Sequence, residues 1–403
     1  MYVSIKNRNS LYKCRLKLQI ATLSNAKTQR VGTKMLAVFC RRHRTMIIAG
    51  FFFFYLGCGI TLSSLRMDCK DEATLMNKMK YNYKNNVEYV VLILSSPGNV
   101  LKRDAIRTTW AKFASNIFVE NGEKLFKWNH TWIGEEVPID FIKFYYVIGT
   151  QGLDETKESD LRKENARSKD LLLFPDFVDS YKNLASKMLL AMKWLSSNLK
   201  HLKYVIKCDD DSFVRVDLII RDLEAYAPRM SGPEIDQYIS YKTNLYYFQH
   251  NLPLYKGLYW GYFDGHARVY TKGKWQESAW FLCDKYLPYA LGGGYVISRS
   301  IVDYIARNSD FLSLYMSEDV SMGVWTAALD GINRVHDVRF DTEWQSRGCL
   351  SHMLVRHKQT PKDMFEMYKT LVQSHGEKLC KTDVRTRNSY YYKWDAMPSL
   401  CCK

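Results

Sequence analysis

Residues 1–67 contain no aspartate or glutamate, although 12 Lys and Arg lie among them. Beyond that segment 46 Lys and Arg face all 42 acids, so the formal net charge of +16 belongs mostly to one end of the 403-residue chain. A nucleic-acid-binding reading therefore loses its footing, because the basic excess is not spread over a fold-sized surface. No G-x-x-x-x-G-K-[ST] segment is present, and no G-x-G-x-x-G follows a strand-like run, which excludes the two common glycine-rich phosphate cradles. An EF-hand starting at Asp209 is excluded too: Val214 stands where the loop needs glycine, and Ile220 where it needs glutamate. There is no internal repeat and no low-complexity run. The terminal "CCK" is not a prenylation signal, since the fourth residue from the end is Leu400.

What the basic end does carry is "MIIAGFFFFYLGCGITLSSL" (46–65), twenty residues without a charge, preceded by "RRHR" (41–44). That length spans a bilayer's hydrocarbon as a helix, and flanking arginines stay on the cytoplasmic side. A cleaved signal peptide would have a shorter apolar run and a small-residue cleavage site. The expectation is a single-pass type II signal anchor: a cytosolic tail over 1–45, the transmembrane helix over 46–65, a polar stem over 66–86 and a lumenal domain over 87–403. Met35 offers a second start that would shorten the tail. Seven of the ten cysteines follow the apolar run (Cys69, Cys208, Cys283, Cys349, Cys380, Cys401 and Cys402). An oxidising lumen permits disulfides among them, with connectivity unreadable and an odd count leaving one over. "NHT" (129–131) makes Asn129 a glycosylation acceptor.

Along the lumenal part, "VEYVVLILSS" (87–96) reads as a buried strand ended by Pro97-Gly98, and "RDAIRTTWAKFA" (103–114) has helical spacing. "DFIKFYYVIGT" (140–150) is a second strand, 154–170 a charged, solvated segment, 180–197 a helix with one apolar stripe, and "YVIKC" (204–208) another strand. Alternating strands and helices predict an α/β sandwich with a mostly parallel central sheet, built as one large domain.

Ligands of such sheets gather at the carboxyl ends of strands. Asp209, Asp210 and Asp211 stand at such an end, where a divalent cation would relieve their mutual repulsion; an acidic capping turn is the alternative. Arg103 and Arg107, near the exit of the first strand, are candidates for phosphate contacts or else helix-surface charges. Gly292, Gly293 and Gly294 either allow a close approach of backbone to a ligand or form a turn. Glu318 and Asp319 open an amphipathic segment, where acids also suit a helix N-terminus. His336, His352 and His357 follow as possible imidazole ligands.

In this order, "RDAIRTTW", "FVDSYKNLASKMLLAMKW", "VIKCDDDSFVRV", "YLPYALGGGYVIS", "SEDVSMGVW" and "HKQTPKDM" resemble the β-1,3-glycosyltransferases of the Golgi, over about residues 87–380. "HDVRFDTEWQSRGC" and the terminal "CC" look most like the branch that adds the second galactose of the proteoglycan linkage tetrasaccharide. The resemblance implies a GT-A fold, Mn²⁺, a UDP-sugar donor and inversion at the anomeric carbon. It implies UDP-galactose as donor and a proteoglycan core protein carrying Gal-Xyl as acceptor, at the Golgi membrane. By the same match Asp211 and His357 are metal ligands, with His336 the second choice, and Asp209 and Asp210 lie on the ribose side or support the loop. Asp319 is the implied catalytic base; the glycine triplet and Glu318 border the substrate pocket. Cys208 departs from the family pattern, which favours a small hydroxyl residue there. Two other readings fit the same frame: a β-1,3-N-acetylglucosaminyl- or galactosaminyltransferase, and a silent lectin or chaperone, against which the intact acids argue.

Overall fold

The computed structural model describes residues 87–120, 123–128, 141–226, 256–396 and 400–402. The tail, anchor and stem assigned from sequence, and Asn129, lie outside them. Among the described residues no helix is long and apolar enough to cross a membrane.

In chain order the strands are β1 (Tyr89–Leu94), β2 (Ile117–Glu120), β3 (Glu123–Phe126), β4 (Ile142–Gly149), β5 (Leu171–Phe174), β6 (Tyr204–Asp209), β7 (Phe213–Val214), β8 (Gly257–Asp264) and β9 (Tyr289–Ser298). Five short ones follow: β10 (Ile332–His336), β11 (Phe340–Asp341), β12 (Gly348–Cys349), β13 (Val355–Arg356) and β14 (Val384–Arg385). The helices are α1 (Val100–Thr108), α2 (Glu155–Ser168), α3 (Leu184–Asn198), α4 (Val216–Tyr226), α5 (Arg299–Arg307), α6 (Glu318–Ala327) and α7 (Pro361–Gln373).

Seven strands form the main sheet in the order β10-β8-β9-β6-β1-β4-β5. Only β9 runs against its neighbours: β10–β8, β6–β1, β1–β4 and β4–β5 are parallel, whereas β8–β9 and β9–β6 are antiparallel. The mostly parallel α/β sheet expected from sequence is therefore present. β1 is buried at all six positions, as a parallel strand covered on both faces must be. Tyr89, Val91 and Ile93 join a core with Ala105, Ile106, Trp110 and Phe113. Alternation sends Val90, Leu92 and Leu94 to the other face.

That alternation decides what β6 offers the site. Tyr204, Ile206 and Cys208 enter the same core as Val91, so Lys207 and Asp209 face the other way. Cys208 is fully buried and its thiol is pushed up by that burial, which makes it a core-packing residue.

Two segments differ from expectation. The helix predicted over 103–114 divides into α1 and a 3₁₀ stretch, Trp110–Asn116. The charged 154–170 segment is helical: Asp154 caps α2 by accepting from the Lys157 N–H at 2.9 Å, and Glu158–Arg162 pairs four residues apart. One disulfide is present among the described residues, Cys349–Cys380, tying β12 to the segment beyond α7.

Candidate active site

β6 ends at the three aspartates, and the structure separates their roles. The Asp210 carboxylate is buried and turned back toward the β1–α1 connection. It accepts from Ser95 Oγ at 2.8 Å, Asn99 Nδ2 at 2.7 Å and Lys102 Nζ at 2.9 Å. This carboxylate braces the loop between β1 and α1.

Asp209 and Asp211 instead converge on His357. The His357 Nε2 lies 3.1 Å from Asp211 Oδ1 and 3.4 Å from Asp209 Oδ2. Pairing of β7 with β13 explains how residues 146 positions apart meet: Phe213 lies opposite Arg356, so His357 falls beside the aspartate turn. A Gln359 N–H bond to the Asp211 carbonyl, 2.7 Å, locks the same register. His336 takes no part. Its Nδ1 accepts from the Phe263 N–H and its Nε2 meets the Tyr390 carbonyl, each at 3.0 Å.

Two carboxylates and an imidazole, with ligand atoms within 4.8 Å of one another, form a set suited to a divalent cation. The oxygen–nitrogen set matches Mn²⁺, which accepts hard oxygen ligands together with imidazole. Without a cation, His357 serves as their counter-charge. Burial disfavours its protonated form, but the two carboxylates outweigh that and raise its pKa to about 9. Burial also works against the Asp209 carboxylate, yet Lys207 and His357 hold it well below the usual carboxylate range.

The glycine triplet is not a turn; it lies within β9. What approaches its backbone closely is this site's own side chains. A Cβ on Gly293 would sit 2.6 Å from His357 Cγ, and one on Gly292 would sit 3.2 Å from Asp319 Oδ2. The bare backbone lets the imidazole and the second acid pack against one strand. Gly294 faces Val355, 2.9 Å from where its Cβ would be, and so supports β13.

Glu318 and Asp319 begin α6, as the sequence suggested, and then diverge. Glu318 is buried, takes a hydrogen bond from the Tyr295 hydroxyl and lies 3.1 Å from Lys207 Nζ. Among the described residues no cation pairs with Asp319. Its Oδ2 accepts from the Gly292 N–H and its Oδ1 from the Val320 N–H, each at 2.9 Å, which fixes its direction. Burial first, then the adjacent Glu318 charge, push its pKa up to about 6.

Lys207 is the residue that sequence reasoning missed. It hid as the polar letter of an otherwise apolar strand. Its buried ammonium lies 3.0 Å from Asp209 Oδ1, bonds the Gly292 carbonyl and meets Glu318, joining the two acidic groups. The period-2 pattern of "YVIKC" was the available signal, since it puts Lys207 on the face opposite Cys208.

The two arginines are corrected. Arg103 is fully buried and pairs with Glu164 at 2.7 Å. Arg107 pairs with Asp170 at 2.8 Å and Glu164 at 2.7 Å. Their guanidiniums are committed to holding α1 against α2, so they do not serve as phosphate ligands. The cation that α1 does turn toward the aspartates is Lys102, also 3.9 Å from Asp211 Oδ2.

These groups open into one cleft of ≈ 350 Å³, lined by Lys207, Asp209, Asp211, Gly292, Glu318, Asp319 and His357, with Tyr181, Trp275 and Trp344 along its walls. Flat aromatic faces beside convergent polar groups suit a sugar-bearing ligand.

A model of the galactosyltransferase family matches residues 101–338. A mouse protein named beta-1,3-galactosyltransferase 6 is 37% identical over 90% of this chain and 96% of its own length. The human UDP-GalNAc:beta-1,3-N-acetylgalactosaminyltransferase 2 is 32% identical over 53% of this chain, which spans only 36% of that protein. Among solved structures, a galactosyltransferase LgtC complex with donor and acceptor sugar analogs covers 71% of this chain and 95% of its own, at 11% identity and a TM-score of 0.29. That structural likeness is too distant to carry an argument, but the sequence matches are not. The chain belongs to the galactosyltransferase family.

Proposed function

We propose that this chain is an inverting β-1,3-galactosyltransferase that moves galactose from UDP-galactose to the 3-hydroxyl of galactose in the Gal-Xyl stub of a proteoglycan core protein. On this reading it has a GT-A fold, uses Mn²⁺ and works at the Golgi membrane, anchored through residues 46–65. The observation that supports it most is the division of one cleft into a cation-type cluster, Asp209–Asp211–His357, and a backbone-oriented carboxylate, Asp319. The full-length similarity to a protein named as a β-1,3-galactosyltransferase supports the reaction class.

Asp209, Asp211 and His357 would hold the cation. When bound, Mn²⁺ supplies positive charge for the diphosphate of the departing UDP. Lys207 keeps Asp209 ionised and steadies the Gly292 peptide against which Asp319 rests. Asp319 accepts the proton of the acceptor hydroxyl as that oxygen bonds to C1 of the donor sugar. The bond from C1 to the diphosphate oxygen breaks on the opposite face, and UDP leaves with the electron pair. One displacement of this kind turns an α-linked donor into a β-linked product.

The similarity to N-acetylgalactosaminyltransferases favours one second reading, a β-1,3 transfer of an N-acetylhexosamine. The test supplies the purified chain with Mn²⁺, a Gal-Xyl acceptor and either UDP-galactose or its N-acetylhexosamine counterparts. Transfer from UDP-galactose is expected. Absence of that product, alongside transfer from an N-acetylhexosamine donor to another acceptor, replaces the first reading with the second.

A further inference from the structure

A second group of metal-type ligands lies outside the cleft. His266, Cys401 and Cys402 bring an imidazole nitrogen and two sulfurs within 4.8 Å of one another, and none of the three lines the cleft. Cys401, the third residue from the end of the sequence, is 1% exposed. Its backbone is held: the Lys393 N–H bonds the Cys401 carbonyl at 2.7 Å, and Cys402 forms an antiparallel bridge with Tyr392. His266 is fixed just past β8, with its N–H on Asp264 Oδ1 at 2.8 Å.

Gly265 makes the close approach possible. A Cβ there would lie 2.8 Å from Cys401 Sγ and 2.5 Å from the Tyr392 ring. Tyr392 in turn stacks on Trp394 at 4.0 Å, and Trp394 meets Phe263 of β8 edge-on at 5.0 Å. The donors therefore arrive on anchored backbone from two distant chain segments.

We propose that His266, Cys401 and Cys402 form a zinc site, separate from the Asp209–Asp211–His357 cluster and of opposite chemical character. Thiolate and imidazole ligands select zinc, whereas Mn²⁺ prefers oxygen. Zinc–sulfur bonds of about 2.3 Å and zinc–nitrogen bonds of about 2.0 Å set tetrahedral ligand atoms roughly 3.5–3.8 Å apart, inside the spacing seen here. Binding displaces the two thiol protons to solvent. Three protein ligands leave the fourth position to water. The ion staples the C-terminal segment to the end of β8, where the Tyr390 hydroxyl already donates to the Phe263 carbonyl and His336 meets the Tyr390 carbonyl. A disulfide between the adjacent cysteines is the competing chemistry.

The experiment measures zinc in the purified full-length chain after dialysis against Mn²⁺, then replaces it with Co²⁺ and records thiolate-to-cobalt charge-transfer absorption. One zinc per chain is expected, with sulfur–cobalt bands that vanish in Cys402→Ser. The bands should persist in His357→Ala, because the cleft cluster contains no sulfur. His266→Ala, which leaves both thiols, should weaken zinc binding by more than the about 10–100-fold that loss of an outer-shell partner costs. A chain without zinc and without sulfur–cobalt bands overturns the proposal, as does mass mapping that finds Cys401 or Cys402 in a disulfide. Unchanged affinity in His266→Ala overturns the three-ligand assignment.

Discussion

Asp209 and Asp319 sit at the two ends of the hydrogen-bonded path that runs through Lys207 and the Gly292 peptide, and their environments drive them in opposite directions. Asp209 loses solvent but gains Lys207 and His357, and remains charged far below neutral pH. Asp319 loses solvent and gains Glu318, a like charge, while Lys207 compensates only in part, so its pKa rises to about 6. On the proposed reading the same residue type would hold a cation at one end and take up a proton at the other. The difference lies in what surrounds each carboxylate, which is how one site separates electrostatic and proton-transfer work.

The largest effect is expected from Asp319→Asn. An amide cannot accept the hydroxyl proton, so transfer should fall by about 10²–10⁴-fold, the usual worth of a general base. UDP affinity in the presence of Mn²⁺, measured by calorimetry, should stay near wild type. An equal collapse of UDP binding would make Asp319 a binding residue and erase the contrast with Asp209.

The mirror experiment is Asp211→Asn. Losing one of three ligands should weaken Mn²⁺ binding by at least about 10–100-fold, and with it Mn²⁺-dependent UDP binding, while thermal stability changes little. Asp210→Asn should do the reverse. It puts an amide where Ser95, Asn99 and Lys102 all donate, so it should cost about 1–3 kcal/mol of stability and leave Mn²⁺ affinity largely intact. Matching denaturation and metal-titration data on the neighbouring variants would show whether adjacent aspartates are as divided as their partners indicate.

How much of this could be read in advance depends on how local the cause is. The buried strand before the aspartates, the acids opening α6 and the parallel sheet all follow from spacing along a single segment. Arg103 and Arg107 were misplaced because their partners, Glu164 and Asp170, come from a different stretch whose helical form was not anticipated. The actual cation, Lys102, is one position away, which on a helix is a turn of about 100°. The choice between His336 and His357 rested on resemblance; the geometry behind it is a two-residue pairing, β7 with β13, too short to leave a pattern. Gly293 was legible as a close-approach residue, but what approaches it, the His357 ring, is known only once β9 and β13 are folded together.

The smallest and most discriminating effect concerns pH. Transfer should rise across a limb near pH 6, about tenfold per unit below it, because only ionised Asp319 accepts the proton. Stability runs the other way. The folded state raises this pKa from 3.8, so the group's contribution is fully present below about 3.8 and is lost as pH climbs through about 6. At neutral pH the active, charged form is therefore held at a cost to the fold. Glu318→Gln sharpens the point: it removes the like charge while its amide oxygen can still accept from the Tyr295 hydroxyl. With that charge gone, the activity limb should move to lower pH. A limb that stays in place would mean that burial alone sets the Asp319 pKa and that Glu318 serves only to hold Lys207.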